Sequence, residues 1–298
     1  MEHKEILTLL AFYSIHTLTK GQIIKLKKSV GNLSNLFSLN TIKLKELGLS
    51  DGSINKLKTL NLMNFEKYIN NPVLKIITIF DQDYPEKLKN IMNPPLFLFL
   101  KGNTDLLNQK MLSIVGTRTA SKEAIDWGKK TAESVVNKGY KIVSGGAIGI
   151  DTGAHEGALA GGDETTICVL GGGVNNPYPK ENAALFNKIF EQKGLLISET
   201  LPDEPVNRFN LLLRNRITSA LSDGMLIVAS KEKGGAMWQS KVGVLQKKPI
   251  FCPSLSLNLK PCEGPKQLLD KKVAISVKEP EEIVEYLNKA SMAQKTLV

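Results

Sequence analysis

The spacing of apolar residues changes once along the chain. Up to residue 72 they recur at intervals of three and four, as in Leu7, Leu10, Ala11 and Ser14-Ile15, which predicts helices. Stops at Gly21, Gly31-Asn32 and Gly48 divide this stretch into helices of about 8–14 residues, the pieces of a small bundle. Leu47-Gly48-Leu49-Ser50 has two readings. It is either a hairpin whose glycine lets backbone amides approach a phosphate, or a plain glycine helix terminus. Asn70-Asn71-Pro72 then breaks the pattern and places a boundary, giving a helical domain over 1–72 and a second domain over 73–298.

Beyond the boundary, short apolar runs rich in β-branched residues predict strands at 75–80, 96–100, 111–115, 141–143, 166–170, 195–198, 225–229, 249–252 and 273–277. Helical stretches lie between most of them, at 121–138, 152–161, 180–193, 209–222, 235–247 and 280–290. Strands alternating with helices predict an α/β domain with a mostly parallel sheet and helices on both faces. The runs are continuously apolar rather than alternating, as suits strands buried on two sides. The first two have no helix between them, which suggests an edge extension.

Composition narrows the function. The start Met1-Glu2-His3-Lys4-Glu5 is charged and resembles no signal peptide, and no apolar run reaches membrane-spanning length, so a cytoplasmic protein with no membrane partner is expected. Cys168, Cys252 and Cys262 are odd in number and fit neither a zinc site nor a redox pair. Cys168 and Cys252 read as strand core. With His3, His16 and His155 the only histidines, neither a metal nor a cofactor is expected. Net charge is +10, which suits a polyanionic partner or simply a lysine-rich solvated surface. Residues 1–72 carry 10 Lys and 5 acidic residues, so half of the excess lies in each part of the chain.

The candidate chemistry lies in the loops after the strands. In an open α/β sheet, ligands bind at the carboxyl ends of the strands. The 111–115 run ends in Gly116-Thr117-Arg118 before a helix. There, backbone amides, the helix dipole and a guanidinium can together hold a phosphate. The 141–143 run leads into Ser144-Gly145-Gly146-Ala147-Ile148-Gly149-Ile150-Asp151. That is a phosphate-cradle composition, though neither a dinucleotide fingerprint nor a P-loop. Asp151 stands where a helix N-cap belongs, and His155 follows on the same helix face. No serine, cysteine or second carboxylate is spaced to make a catalytic set with that histidine, so no enzyme is expected.

The 166–170 run ends in Gly171-Gly172-Gly173, followed by Tyr178 between two prolines, Lys180 and Asn182. Lys180 opens a helix, where a cation opposes the dipole unless an anion is near. Arg214-Asn215-Arg216 starts another helix, with the two arginines on different faces. A fourth loop, Lys231-Glu232-Lys233-Gly234-Gly235, follows the 225–229 run. Four glycine-bearing loops on one sheet edge, with cations and no acid–base pair, describe an anion-binding groove.

These motifs resemble a family. Tyr84-Pro85, Pro94-Pro95-Leu96-Phe97, Lys101-Gly102, Ile114-Val115-Gly116-Thr117-Arg118, Ser144-Gly145, Gly149-Ile150-Asp151, Ala154-His155, Tyr178-Pro179, Asn182, Ile197-Ser198-Glu199 and Arg214-Asn215-Arg216-Ile217 are similar, in the family's order, to those of DNA-processing protein A, also called Smf. The helical front resembles the family's N-terminal domain, of helix-hairpin-helix or SAM-like type. The resemblance implies an extended Rossmann-like fold that binds single-stranded DNA of any sequence. It also implies a homodimer and loading of RecA recombinase onto incoming DNA in natural transformation. Arg118 and Lys180 would grip the backbone, with Gly116, Thr117, Ser144, Gly145, Gly146, Gly149, Gly171, Gly172, Asn182, Arg214, Asn215, Gly234 and Gly235 lining the path.

The chain departs from the family pattern at Gly235-Ala236-Met237-Trp238-Gln239-Ser240 and at Cys252-Pro253-Ser254. Those segments help form the family's dimer surface, so its geometry here is open. Trp238 is either core or interface packing, or a stacking platform for a base. The chain ends soon after its last helix, which leaves no room for the winged-helix extension of some members. Two alternatives stay open: a nucleotide-binding or nucleotide-hydrolysing Rossmann-like enzyme, and a paralogue serving defence against foreign DNA. Against the enzyme, Gly171-Gly172-Gly173-Val174 lacks the threonine and glutamate of phosphoribohydrolases.

Overall fold

The computed structural model describes residues 1–14 and 18–296, with side chains up to residue 292; Ile15 and His16 lie outside it. The chain separates into two compact units, Met1–Ile76 with Phe80–Gln82, and Ile77–Ile79 with Asp83 onward.

The first unit is helical, with α1 (His3–Ser14), α2 (Lys20–Val30), α3 (Thr41–Glu46), α4 (Asp51–Thr59) and α5 (Glu66–Ile69). Thr19 and Gln22 form a reciprocal capping box that starts α2. Leu9, Leu10, Phe12, Ile23, Leu33, Leu36 and Leu44 fill the core. Buried Glu5 is held there by Lys27 and by the Leu33 amide. Gly48 has φ of +87°. Its amide donates to the Lys45 carbonyl, and the Leu49 amide donates to Leu44. That is the Schellman ending of a helix, and it uses both amides within the turn. α4 then begins under a Ser50 cap.

The strands are β1 (Lys75–Thr78), β2 (Phe97–Gly102), β3 (Met111–Val115), β4 (Lys141–Ser144), β5 (Thr166–Val169), β6 (Leu195–Ser198), β7 (Gly224–Ile227), β8 (Ile250–Pro253) and β9 (Ile275–Val277), all but the first two residues of β1 in the second unit. They form one sheet in the order β1-β2-β6-β5-β4-β3-β7-β8-β9. The seven strands from β6 to β9 in that order run parallel, and β2 pairs antiparallel with β6. The α/β reading with a mostly parallel sheet is what the structure has. The first two strands do extend one edge, with only α6 (Glu86–Lys89) between them.

The helices are α7 (Lys122–Asn137), α8 (Ile150–Ala160), α9 (Ala183–Glu191), α10 (Arg208–Leu213), α11 (Asn215–Leu221), α12 (Gly235–Leu245), α13 (Glu263–Asp270) and α14 (Pro280–Thr296). Successive strand residues feed opposite faces. Leu112, Ile114, Ile142 and Leu226 pack with Ala124, Ala132, Ala154, Ala158, Ile283 and Leu287. Val143, Ile167, Val169 and Ile197 pack with Leu88, Ile217, Ala220 and Leu221 on the other face. Strands sandwiched in this way need no polar alternation. On α8, Gly157 lets α7 come so close that an added Cβ would sit 2.0 Å from the Lys129 carbonyl oxygen. Among the described residues no helix is long and apolar enough to cross a membrane.

Strand order sets the site. From β3 the chain steps outward through β4, β5 and β6, then returns to place β7, β8 and β9 on the other side of β3. The junction of β3 and β7 is therefore a topological switch point, where connections leave in opposite directions and open a crevice.

Candidate nucleic-acid interface

Gly116 follows β3, Gly145 follows β4, Gly171 follows β5 and Gly234 follows β7. These four strands are parallel, so all four loops emerge at the same edge. What each loop does there differs.

The β3 and β4 loops are tied to each other. The Ile150 amide donates to the Thr117 carbonyl at 3.5 Å, and the Thr117 amide ties the β3 loop to the end of β7 through the Ala229 carbonyl at 2.8 Å. Gly149, at φ of +89°, lies against the carbonyls of Thr117 and Arg118, where a Cβ would approach to 2.6 Å. Asp151 fixes both loops. Its carboxylate accepts from the Ala147 amide at 3.3 Å, with further backbone hydrogen bonds from Gly145 and Gly116. The N-cap of α8 is Gly149 rather than Asp151; the aspartate sits inside the first turn and collects loop amides. Its carboxylate thus fills the central anion position of the two loops, and their outer rim is left for other ligands.

Arg214 faces Asp151, with 3.9 Å between Nη2 and Oδ2. Its guanidinium lies flat on Gly145, where a Cβ would fall 1.7 Å from Nη2. It donates to the Gly145 carbonyl and to Thr218 Oγ1, each at 3.3 Å, while Nε has no partner. Burial pushes the Asp151 carboxyl upward, with Arg214 and the three amides opposing. His155 is fully buried and shares a hydrogen bond of 2.8 Å with Thr166. Burial first, and Arg214 second, pull its pKa down to about 3, so it is a neutral packing group here.

Several residues that the sequence assigns to the path point inward. The Ser144 hydroxyl donates to the Ile114 carbonyl at 2.7 Å. Gly146, at φ of +72°, packs on Cys168 and Phe186. Asn182 is buried and donates to the Gly146 carbonyl and Thr152 Oγ1 at 3.0 and 2.9 Å. The triple glycine is roofed by the chain itself: Leu211 covers Gly171, Val206 covers Gly172, and the carbonyls of Leu201 and Pro202 cover Gly173. Its missing side chains admit the 201–211 segment.

Other groups reach the surface. Arg118, Lys180, Lys231, Lys233, Gly234 and Gly235 are exposed, and Gly116 and Thr117 are half-buried. Arg118, Lys180, Lys231 and Lys233 make no ion pair among the described residues. Arg118, Ile148, Tyr178, Pro179 and Leu211 line a shallow depression against Gly145. Beside it, at the switch point, a crevice of about 360 Å³ is lined by Gly116, Thr117, Arg118, Asp151, Arg214, Asn215, Lys231, Lys233, Gly234, Gly235 and Gln239.

Two features escaped the sequence, and the structure places a third, Trp238, that the sequence singles out. Gln239 contributes to the crevice, yet a lone glutamine on a helix carries no motif. Arg216 is buried in a bidentate pair with Glu199 at 2.6 and 2.7 Å and donates to the Asn93 carbonyl at 2.7 Å. The spacing of Glu199 from Arg216 in sequence gives no sign of it. Trp238 is half exposed on the outer side of α12, at 50%, and is absent from both cavities.

The comparisons with known proteins agree with this geometry. The sequence profile of the family described as DNA recombination-mediator protein A matches residues 75–288. Protein Smf of Escherichia coli is 31% identical over 281 residues, spanning 93% of this chain and 74% of that protein. The crystal structure of DNA processing protein A from Streptococcus pneumoniae superposes with a TM-score of 0.79 at 26% identity, covering 96% of this chain and 98% of that one. A Helicobacter pylori DNA processing protein A, described for its single-stranded DNA binding mode, superposes with a TM-score of 0.65 at 28% identity over 72% of this chain and 97% of that one.

Proposed function

This chain belongs to the DNA recombination-mediator protein A family, and from that premise we propose that it binds single-stranded DNA without sequence preference. It acts in the cytoplasm as a homodimer, covers incoming strands and loads RecA recombinase onto them during natural transformation. The observation that carries the reading is the set of exposed cations Arg118, Lys231 and Lys233, without ion pairs among the described residues, around the half-buried Gly116-Thr117 turn, with Lys180 exposed after β5, on the carboxyl edge of a parallel sheet. Such a rim offers positive charge to phosphates and no pattern that reads a base edge. The structural relative from H. pylori, described by its single-stranded DNA binding, supports the choice of ligand. Of the path residues, Arg118 and Lys180 make the phosphate contacts; Asp151, Arg214 and Gly145 hold the β3 and β4 loops, the first of which presents Arg118.

Titrating single- and double-stranded oligonucleotides of varied sequence by filter binding tests this. Single strands of any sequence should bind better. The logarithm of the affinity should fall by roughly 0.7 per engaged phosphate for each decade of salt. Arg118→Ala with Lys180→Ala should weaken all sequences alike and flatten that slope by about 1.4. A double variant with unchanged affinity and slope refutes the assignment.

A further inference from the structure

The crevice at the switch point has donors that a plain phosphodiester track does not need. α12 begins at Gly235 with Gly234 as its N-cap, and no side chain caps it. The N–H groups of Gly235, Ala236 and Met237 find no acceptor among the described residues. An uncapped helix of 11 residues presents these donors together with the positive end of its dipole. One turn in, Gln239 lines the same crevice. It is 4% exposed, and its amide nitrogen has no hydrogen-bond partner. Buried amides without partners are costly, and this one stands at the wall of a crevice where an acceptor would satisfy it. Arg214 adds a second buried nitrogen without a partner, Nε, in the same wall.

Charge points the same way. Arg118, Arg214, Lys231 and Lys233 line the crevice against Asp151, whose carboxyl is raised by burial and already engaged by three amides. An internal phosphodiester brings a single negative charge. A phosphomonoester brings between 1.5 and 2, roughly, at neutral pH, with three acceptor oxygens. Three helix amides and one side-chain amide suit the second better than the first.

We infer that the crevice between β3 and β7, closed by the N-terminus of α12 and Gln239, is a phosphomonoester site. It takes either the terminal phosphate of a DNA strand or a free nucleoside monophosphate. The strand-end source rests on the single-strand reading above; the free-nucleotide source does not. The site shares Arg118, Lys231 and Lys233 with the cation set of that reading and adds the start of α12 and Gln239.

The test uses the whole chain in two arms. In the first, one oligonucleotide sequence is titrated with a 5′-hydroxyl, a 5′-phosphate or a 3′-phosphate end. In the second, thermal unfolding is followed with deoxyadenosine monophosphate or with deoxyadenosine. The inference expects at least one gain. A phosphorylated end should bind about tenfold tighter than a hydroxyl end, or the monophosphate should raise Tm by roughly 3 °C or more where the nucleoside does not. Whichever gain is seen should vanish in Gln239→Leu. That variant is expected to fold, because the amide it removes has no partner to orphan. A gain in the first arm assigns the strand end; a gain in the second assigns the free nucleotide. No gain in either arm, or a gain that survives Gln239→Leu, overturns the inference. Single strands that bind well with no end preference and no monophosphate gain overturn it alone, whereas no binding of any oligonucleotide overturns the function proposed above.

Discussion

The exposed cations of the rim owe their position to buried residues that touch no ligand. Asp151 gathers amides from the β3 and β4 loops, Arg214 lies across Gly145, and His155 fills the space beneath. Gly145→Ala would drive a methyl into the Arg214 guanidinium, which is walled in by Thr218 and Asp151. The expected cost is about 1–3 kcal/mol of stability, read by urea denaturation, with weaker oligonucleotide binding because the loop shifts. A Gly145→Ala chain as stable as the parent contradicts this packing. His155 gives a pH signature. Its folded pKa of about 3 lies below its ordinary 6.5, so the unfolded chain binds the extra proton between those values. Stability from this residue is therefore whole above pH 6.5 and lost as pH falls toward 3. Between pH 6.5 and 5 the loss is about 2 kcal/mol. Asp151, raised by burial, works in the opposite direction over part of that window. The comparison that isolates the histidine is with His155→Gln, which keeps a polar group toward Thr166 and has no proton to gain. Its unfolding free energy should fall less steeply between pH 7 and 5 than the parent's.

At the scale of elements, the sheet was legible because parallel strands buried on two faces make continuous apolar runs bounded by glycine and polar turns. All nine strands lie where those runs stand, and α7, α8, α9, α12 and α14 occupy five of the predicted helical stretches. The 209–222 stretch is in fact two helices that meet at Arg214. α13 was missed because Gly264 and Pro265 in its first turn read as loop. The β5 loop shows where composition misleads: a triple glycine signals close backbone approach without naming what approaches, and here it is residues 201–211. The α10–α11 junction depended on a long-range partner that local pattern does not contain. Arg216 clamps it by pairing with Glu199 and the Asn93 carbonyl. Arg216→Met would leave the Glu199 carboxylate buried without its cation and should cost about 3–5 kcal/mol. Arg216→Met combined with Glu199→Gln should recover part of that loss. Both are measured by denaturant titration, and a single variant within 1 kcal/mol or so of the parent would show the pair to be dispensable.

For the whole molecule, the question is which part of the +10 charge a strand feels. Half of the excess comes from residues 1–72, which belong to a different fold unit from the four loops. In about 10 mM salt the screening length is near 30 Å, so charge over the whole surface attracts any polyanion; at about 150 mM it shrinks to near 8 Å and only cations touching phosphate count. Specific rim contacts and diffuse attraction are therefore separable by salt. The Arg118→Ala, Lys180→Ala chain should lag the parent most at 10 mM and close on it toward 150 mM, by about 1.4 log units of affinity per decade of salt, because it has fewer counterions to release. The preference of the parent for single over double strands should widen over the same range. Fluorescence anisotropy across that range measures both. If the gap instead stays constant as salt rises, the affinity comes from the general positive surface, and Arg118 and Lys180 hold no privileged place in it.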